Sequence, residues 1–459
     1  MPAPVPIAAP GRVLLLMVIL LPMALAGCGG GDSGDAPAER ASDAAPAAAP
    51  PPSADEIVAL QEDLTLDDRA GRWARVRPGG AADGELTPEQ ERQIRRLQSL
   101  GYVAGSRLAP TMQSVVAHDP DRAWQGLNFF TSGHAPEAVL MDMDGQVLHR
   151  WGRSYREVWP DSDIARDRID SHNWRRARLL PDGSVLAIVE GLAVMKLDLE
   201  SNVVWARHNG AHHDLEVLPG GDILLLTRTA HLLPRWHPRA PVLEDFIVRL
   251  SPAGEELQRV SILEAFENSP EHAGILRNIR DRQGDILHTN SLEMLDGRLV
   301  DRAPAFTAGR VLISVRRLDT VAVVDLDRAE VVWAMQGPFE AQHDATILPG
   351  GDLMLFNNEA GPGVSAVQVF DPATGQETWR HAGTPERPFY SRTCGTSQRL
   401  PGGNVLVTES DNGRAFEITP DGDVVWDFYN PHRAGDDDEF IATLFEVLRL
   451  PVEAWRPGG

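Results

Sequence analysis

The sequence predicts an all-β protein, a six-bladed β-propeller preceded by a flexible N-terminal tether with short helices. Three observations predict it. From about residue 130 onward an apolar strand, a Pro/Gly turn and a second apolar strand recur; a second hairpin, often ending in Trp, follows each; and the repeat length is about 50 to 60 residues. Four short strands per unit is a propeller pattern, because no unit covers its own apolar faces and neighbours must stack until a ring closes. A pair of β-sandwiches or a β-solenoid is the alternative, but solenoid repeats are shorter.

The elements follow in order. Residues 1–27 read as a lipoprotein signal peptide: Arg12 gives a short basic start, Val13 to Leu21 an apolar run, and Leu25-Ala26-Gly27-Cys28 resembles the bacterial lipobox. Acylated at Cys28, the chain would be held at a membrane surface by its lipid chains. Gly29 rather than Asp follows the Cys, so the expected location is the periplasmic face of a bacterial outer membrane. Residues 28–107 are the tether. Gly29 to Ser53 is mostly Gly, Ala, Pro, Ser and Asp, too poor in apolar surface to fold. Two short helical patterns come next, Asp55 to Trp73 and one that opens at Thr87, with Pro88 and Gln90 in capping-box spacing, and ends near Gly101.

Residues 108–459 hold the propeller. Its first hairpins turn at Leu180-Pro181-Asp182-Gly183, Leu218-Pro219-Gly220-Gly221, Leu295-Asp296-Gly297, Leu348-Pro349-Gly350-Gly351 and Leu400-Pro401-Gly402-Gly403. The second hairpins are residues 139–151, 194–205, 247–258, 321–333, 367–379 and 416–426. Five first hairpins against six second ones leave one short. The C-terminal strand Phe440 to Leu450 is expected to supply it by closing the ring on the opening segment.

Composition excludes several classes. The 459 residues carry a formal charge of −23, which argues against a nucleic-acid partner, since phosphate binding uses Lys/Arg-rich surfaces. Hydrophobic content of 42% suffices for a large core, yet no long uncharged apolar stretch follows the N-terminus, so a polytopic membrane protein is excluded. Two cysteines exclude a disulfide-dense scaffold, and lipidation of Cys28 would leave Cys394 without an intramolecular partner.

In a propeller the first strand of each unit lines the central channel. His213 and His343 each open such a strand six residues before the turn proline, and His288 opens the corresponding strand of the third unit. Asn290 shares the face of His288, while His212 should point away from His213. The returning strands end in Glu190, Arg228, Asn358 and Ser410, each seven residues after a turn glycine, with Arg316 at the same offset from Gly309. A hairpin joins its outer ends, which places His213 near Arg228, His343 near Asn358 and His288 near Arg316 at one mouth. His231, His237, His272, His381 and His432 lie outside this repeat position and read as structural. His172 sits at a different offset and stays open.

Residues 212–226 (HHDLEVLPGGDILLL), 285–295 (DILHTNSLEML), 311–316 (VLISVR) and 342–358 (QHDATILPGGDLMLFNN) resemble the bacterial arylsulfate sulfotransferase family, the likeness spanning about residues 130 to 430. The resemblance implies a six-bladed propeller enzyme that moves a sulfuryl group from an aryl sulfate to a phenol without a nucleotide donor. It implies a transient sulfo-histidine at His343, supported by His213, His288, Asn290 and Arg316. Two departures stand out: one Cys394 cannot form the disulfide some relatives carry near the site, and tether replaces their β-rich N-terminal domain. The residue types suit the chemistry. An aryl sulfate carries one negative charge, so an Arg fork and neutral donors hold its oxygens without a metal or other cofactor. Neutral His343 would attack sulfur, and His213 or His288 would serve as acid and base. Asn290, Arg228 and Asn358 would complete the sulfuryl cradle.

Two other readings compete. Three histidines on separate strands suit a catalytic metal, although Arg316 and Arg228 would repel a divalent cation. A lipid-anchored scaffold or ligand-binding propeller is the non-enzymatic reading, since a fold does not determine a function.

Overall fold

A strand that is apolar at every position, rather than at every second one, must be covered on both faces. Val185–Val189 is such a strand, and Val311–Val315 is one except at Ser314; each is buried throughout. In the computed structural model the described residues are 87–98, 103–162 and 173–455, all within one compact unit, Val58–Gly459. The predicted signal peptide, Cys28, the helical pattern from Asp55 to Trp73 and His172 lie outside the described residues.

The regular structure of the described chain is mostly strand, in six main sheets that are antiparallel except where Gly284–Asp285 joins the third in parallel beside Val242 and Leu243. The first runs Leu444–Leu450, Leu127–Ser132, Glu137–Met141, Val147–Gly152; the second Arg176–Leu179, Val185–Val189, Ala193–Leu197, Val203–Arg207. The third runs Ala211–Val217, Ile223–Leu232, Pro241–Leu250, Glu256–Ser261, and the fourth Thr289–Met294, Val311–Val315, Thr320–Asp325, Glu330–Gln336. The fifth is His343–Ile347, Leu353–Gly361, Val364–Asp371, Gln376–Ala382; the sixth is Thr396–Arg399, Val405–Glu409, Arg414–Ile418, Val424–Tyr429, with Ser114–His118 added at its edge. All five first hairpins and all six second hairpins read from the sequence form. The C-terminal strand does close the set, pairing Leu450 with Leu127 and Leu444 with Ser132. A small seventh sheet joins Gly105–Leu108, Phe440–Ala442 and Arg433–Ala434.

The first strands of successive sheets touch in cyclic order, the sixth returning to the first. Between each pair of neighbours lies a dry apolar layer. Leu186, Ile188 and Val194 of the second sheet pack on Leu215, Leu225 and Val248 of the third. Met354, Phe356 and Val369 of the fifth meet Val405, Val407 and Phe416 of the sixth. Phe428 and Leu406 of the sixth meet Phe130 and Val139 of the first, so the closing interface is as apolar as the rest.

Polar groups fix the register between sheets. Asp214 accepts from the Leu292 N–H at 3.1 Å, Ser291 Oγ from Ala345 at 3.0 Å and Asp344 from Ser397 at 2.7 Å. Each acceptor lies on a first strand and each donor on the first strand of the next sheet. The recurring Trp that ends the second hairpins has a matching task. Trp151 Nε1 donates to Gly183 O at 3.0 Å, Trp205 to Pro252 O at 3.0 Å and Trp426 to Met143 O at 2.9 Å. Each indole thus reaches a turn carbonyl of the following sheet.

The helix predicted at Thr87 is present over Pro88–Gln98. Its capping box forms: Gln90 N donates to Thr87 Oγ1 at 3.2 Å and Thr87 N to Gln90 Oε1 at 2.9 Å. Ile94 packs on Ala230 and Leu243 of the third sheet, and Gln90 Nε2 donates to Arg239 O at 3.0 Å.

Removing a buried indole donor strands its acceptor. Trp426→Phe should cost about 1–3 kcal/mol in denaturant unfolding, because Met143 O is left buried and unpaired. Trp205→Phe, at a solvent-exposed bond, should cost less than about 1 kcal/mol. Equal losses at the two positions would contradict the stapling role.

Candidate functional site

The cyclic order brings the openings of the first strands to one end of the channel, and three predicted histidines meet there. The His213 and His288 rings lie 4.9 Å apart in an edge contact. His343 and His213 are buried, and His288 is 14% exposed at its side chain, so the group sits just inside the mouth.

His343 has the most defined environment. Its Nδ1 lies 2.8 Å from Asn358 Oδ1 and 3.1 Å from Ala341 O, both acceptors, so Nδ1 carries the proton. The Asn358 amide cannot be turned the other way, because its Nδ2 donates to Ser391 O at 2.9 Å and Cys394 O at 2.7 Å. His343 Nε2 is left as a buried lone pair with no hydrogen-bond partner. Burial, followed by the nearby Arg316 charge, pushes the imidazole pKa well below its usual value and keeps it neutral.

His288 is tied differently. Its Nδ1 lies 2.5 Å from Asp285 Oδ2, and its backbone N–H donates to Asp285 Oδ1 at 3.1 Å. Burial acts to raise the Asp285 carboxyl, but the His288 charge and hydrogen bond, with Arg317, outweigh it and hold that group below the usual carboxylate range. The His288 ring is therefore oriented by a carboxylate at Nδ1.

His213 departs from the expected alternation. His212 does not point away: its Nδ1 lies 2.7 Å from His213 Nδ1. The reason is local. A β-bulge falls between His212 and Leu215, and His213 has φ +55°, so the period of two breaks where it was used. His213 N donates to Glu190 Oε2 at 2.9 Å, and Glu190 Oε1 lies 3.2 Å from Arg228 Nη1. Arg228 folds over Gly191, where any Cβ would stand 2.1 Å from Nη2. Burial foremost, then the His288 charge, pushes the His213 pKa well down.

The outer-end pairings expected from the hairpins are met: His343 bonds Asn358, His213 and Arg228 share Glu190, and the Arg316 backbone N–H donates to His288 O at 3.2 Å. Two assignments change. Asn358 is not placed in a cradle, since both ends of its amide are used to hold His343 against the sixth sheet. Arg228 is held by the buried Glu190 carboxylate behind His213. Asn290 donates from Nδ2 to Gln342 O at 2.8 Å, fastening the strand that presents His343. Ser410 Oγ accepts from Gly395 N at 3.0 Å.

Arg175 was missed. It is buried, its charge lowers the pKa of both His213 and His343, and its guanidinium lies over the Phe445 ring. The signal was present: Arg175 stands six residues before Pro181, the offset of His213 and His343. Behind it Arg176 pairs with Asp214 at 3.1 Å and with Glu446, closing the channel with buried ion pairs. Burial pushes the Cys394 thiol up, and no cysteine lies free for pairing with it among the described residues.

The histidines read as structural have local partners. His231 pairs with Glu244 at 2.6 Å, His237 Nδ1 accepts from Ala240 N, and His432 stacks on His134 at 3.5 Å. Among the described residues two groups could offer a metal three donors: Glu190, His212 and His213, and His134, Glu137 and His432. The three histidines first considered as a ligand set are not one of them. In the first group Arg228 already occupies Glu190 and the histidines bond each other, which suits an ordered polar network better than a cation.

A cavity of about 750 Å³ is lined by Arg316, Arg317, Ala341, Phe339, Thr393 and a segment from Arg277 to Asp281; the three histidines are not in its lining, and its link to His343 is Ala341, whose carbonyl accepts from His343 Nδ1. A ring of sheets holds a buried neutral imidazole, a histidine oriented by a carboxylate and, lining the cavity, several arginines, an arrangement suited to handling an anion. Comparison with known families agrees: the family model Arylsulfotransferase (ASST) matches residues 176–431, over half of the chain, and the chain belongs to that family. Family membership gives sulfotransferase activity on aryl sulfates and phenols at the level of the family. No curated protein matches the sequence. Solved structures offer distant likenesses, each under half on the TM scale. A protein of unknown function from Bacteroides caccae is 11% identical with a TM-score of 0.46, covering 70% of this chain and 97% of its own. The Myceliophteria thermophila Cps50 (Swd1) β-propeller domain is 11% identical with a TM-score of 0.41 over 71% and 90%. A streptogramin B lyase is 12% identical with a TM-score of 0.40 over 73% and 95%.

Proposed function

We propose that the chain transfers a sulfuryl group between phenols by a ping-pong route through His343, on a six-bladed propeller formed by residues 108–459. The observation that carries the reading is the His343 imidazole, whose Nδ1–H is committed to Asn358 and whose Nε2 lone pair is unengaged beside Arg316.

In the first half, His343 Nε2 attacks sulfur, the N–S bond forms and the S–O(aryl) bond breaks. The His288 imidazolium gives its proton to the departing aryl oxygen. In the second half, the incoming phenol loses its proton to His288, its oxygen attacks the sulfo-histidine, and the N–S bond breaks to restore neutral His343. Asn358 Oδ1 and Ala341 O accept from Nδ1–H throughout and offset the positive charge the ring gains while sulfated. Arg316 holds the sulfuryl oxygens, with the second N–H of Asn290 beside it. Of the two acid–base candidates His288 fits better: it has the Asp285 carboxylate on Nδ1 and partial exposure, whereas burial disfavours protonation of His213. We further propose that acylation of Cys28 anchors the enzyme on the periplasmic face of an outer membrane. Cys28→Ser should then release it to the soluble fraction of cells; unchanged membrane association would reject the anchor.

Protein lacking residues 1–28 should transfer from p-nitrophenyl sulfate to phenol with parallel lines in double-reciprocal plots. His343→Ala should abolish transfer, and Asn358→Ala should lower kcat by about 10²-fold, since a misplaced nucleophile loses alignment. His288→Ala should lower kcat by about 10²–10⁴-fold, the usual share of acid–base catalysis. Wild-type rates in His343→Ala, or intersecting lines with one equivalent of tightly held zinc, would favour the metal reading instead.

The pH dependence has a definite sign. A histidine with a lowered pKa stays neutral below 6.5, so acidification to pH 6.5 should not protonate the nucleophile. Single-turnover sulfation of His343 should not slow as pH falls to 6.5 and should decline only below it. A loss centred at or above 6.5 would contradict the buried neutral imidazole.

A further inference from the structure

Arginines in this acidic chain are nearly all employed. On the surface and in the core they pair with carboxylates, as Arg122 does with Asp119, Arg249 with Asp222, Arg298 with Asp296, Arg414 with Asp427 and Arg449 with Glu417. Among the described residues Arg107, Arg239 and Arg282 stand apart without such a partner, and four further exceptions gather at one place. Arg277, Arg280, Arg316 and Arg392 all line the 750 Å³ cavity, and none has a guanidinium hydrogen bond or ion pair to any described residue. In a chain with a formal charge of −23, four unpaired guanidiniums around a single cavity are not explained by the folding of that chain.

Glu340 also lines this wall, and three of the wall's other carboxylates are engaged elsewhere. Asp319 Oδ1 accepts from Ala341 N at 2.8 Å, Glu359 Oε1 accepts from the Tyr390 hydroxyl at 3.0 Å, and Asp281 Oδ2 accepts from Gln283 at 3.3 Å. Arg316 directly follows the strand Val311–Val315, whereas two of the arginines lie outside the six sheets. Arg277 belongs to the short 3-10 segment Ala273–Asn278 and Arg280 to the loop after it, an insertion between the third and fourth sheets. Both are exposed toward the cavity's solvent side, while Arg316 and Arg392 stand deeper and are half-buried.

The sulfuryl group needs one cation, and Arg316 next to His343 provides it. A monoanionic aryl sulfate therefore leaves Arg277, Arg280 and Arg392 without a partner. We propose that they select aryl substrates with a second anionic group, a carboxylate or sulfonate on the ring's far side from the transferred oxygen. The proposal rests on the sulfotransferase reading of the site and names its substrate class. The aryl ring would lie against Phe339, Leu318 and Ile286 in the cavity wall, with the distal anion at the arginines of the insertion. Guanidinium forks match both anions bidentately, so the chemistry is shared and the two substituents are to be compared directly.

The test measures acceptor KM with p-nitrophenyl sulfate as the fixed donor and four acceptors: phenol, neutral 4-hydroxybenzamide, 4-hydroxybenzoate and 4-hydroxybenzenesulfonate. The wild type should show a KM at least about tenfold lower for one or both anionic acceptors than for the amide, narrowing as salt is raised. Arg277→Gln with Arg280→Gln should remove that advantage and leave kcat and KM for phenol and for the amide unchanged. Which anion gains more assigns the carboxylate or the sulfonate. Equal KM values for amide and anions, with phenol transferred normally, would overturn the substrate class and leave the sulfotransferase reading standing. If the double variant lost phenol transfer equally, the arginines would be structural and the proposal would also fall. If no acceptor were sulfated, the reaction itself would be rejected, and calorimetric binding of 4-hydroxybenzoate against 4-hydroxybenzamide would still decide the arginine site.

Discussion

Each sheet of this protein has two apolar faces and cannot cover both by itself, and the chain meets that constraint by closing the sheets on one another. The pairing of Leu444–Leu450 with Leu127–Ser132 joins residues more than 300 positions apart and completes the last interface. Everything at the site depends on it. With the ring closed, first strands that are remote in sequence open onto one channel, and His213, His288 and His343 come together without any local motif. The indole and carboxylate links between neighbouring sheets then fix register, so that the side chains of one sheet can serve those of the next. Asn358 of the fifth sheet is held by carbonyls of the segment leading into the sixth, and through it His343 is oriented by a neighbour.

Charge is managed by separation. The excess of acid lies largely outside the site, where arginines pair with it one by one. Inside, Asp214, Asp344 and Glu446 close around Arg176, and Glu190 around Arg228, so the basic groups nearest the histidines are backed by buried acids. At the cavity mouth four guanidiniums stand together without carboxylate partners among the described residues. An acidic protein can thus present a basic pocket close to an imidazole that burial keeps neutral.

Much of this was legible in sequence, for stated reasons. Turn chemistry of the Leu-Pro-Gly-Gly kind places hairpins, a repeat length sets the number of strands, and a fixed offset from the turn marks channel-facing positions. All eleven hairpins followed from those rules, as did the approach of His343 to Asn358. Alternation failed at His212, because a bulge and a positive φ at His213 reset the period; neither can be read from two adjacent histidines. Asn358 was placed correctly but given a substrate-binding task, since sequence does not say which end of an amide is already satisfied. Arg175 obeyed the offset and was passed over because it is not a histidine. The insertion carrying Arg277 and Arg280 has no repeat partner, so nothing in the periodicity pointed to it.

The central claim is that His343 carries the sulfuryl group between substrates. Its most direct test is to mix the protein with p-nitrophenyl sulfate in the absence of any phenol acceptor, quench rapidly at alkaline pH and map the peptides by mass spectrometry. The account predicts a stoichiometric burst of p-nitrophenolate together with one sulfuryl adduct, on the peptide containing His343, that disappears when phenol is added before the quench. A burst with the adduct on His213 or His288 would contradict the assignment of the nucleophile. Steady release of p-nitrophenolate with no adduct on any residue would contradict the covalent route itself.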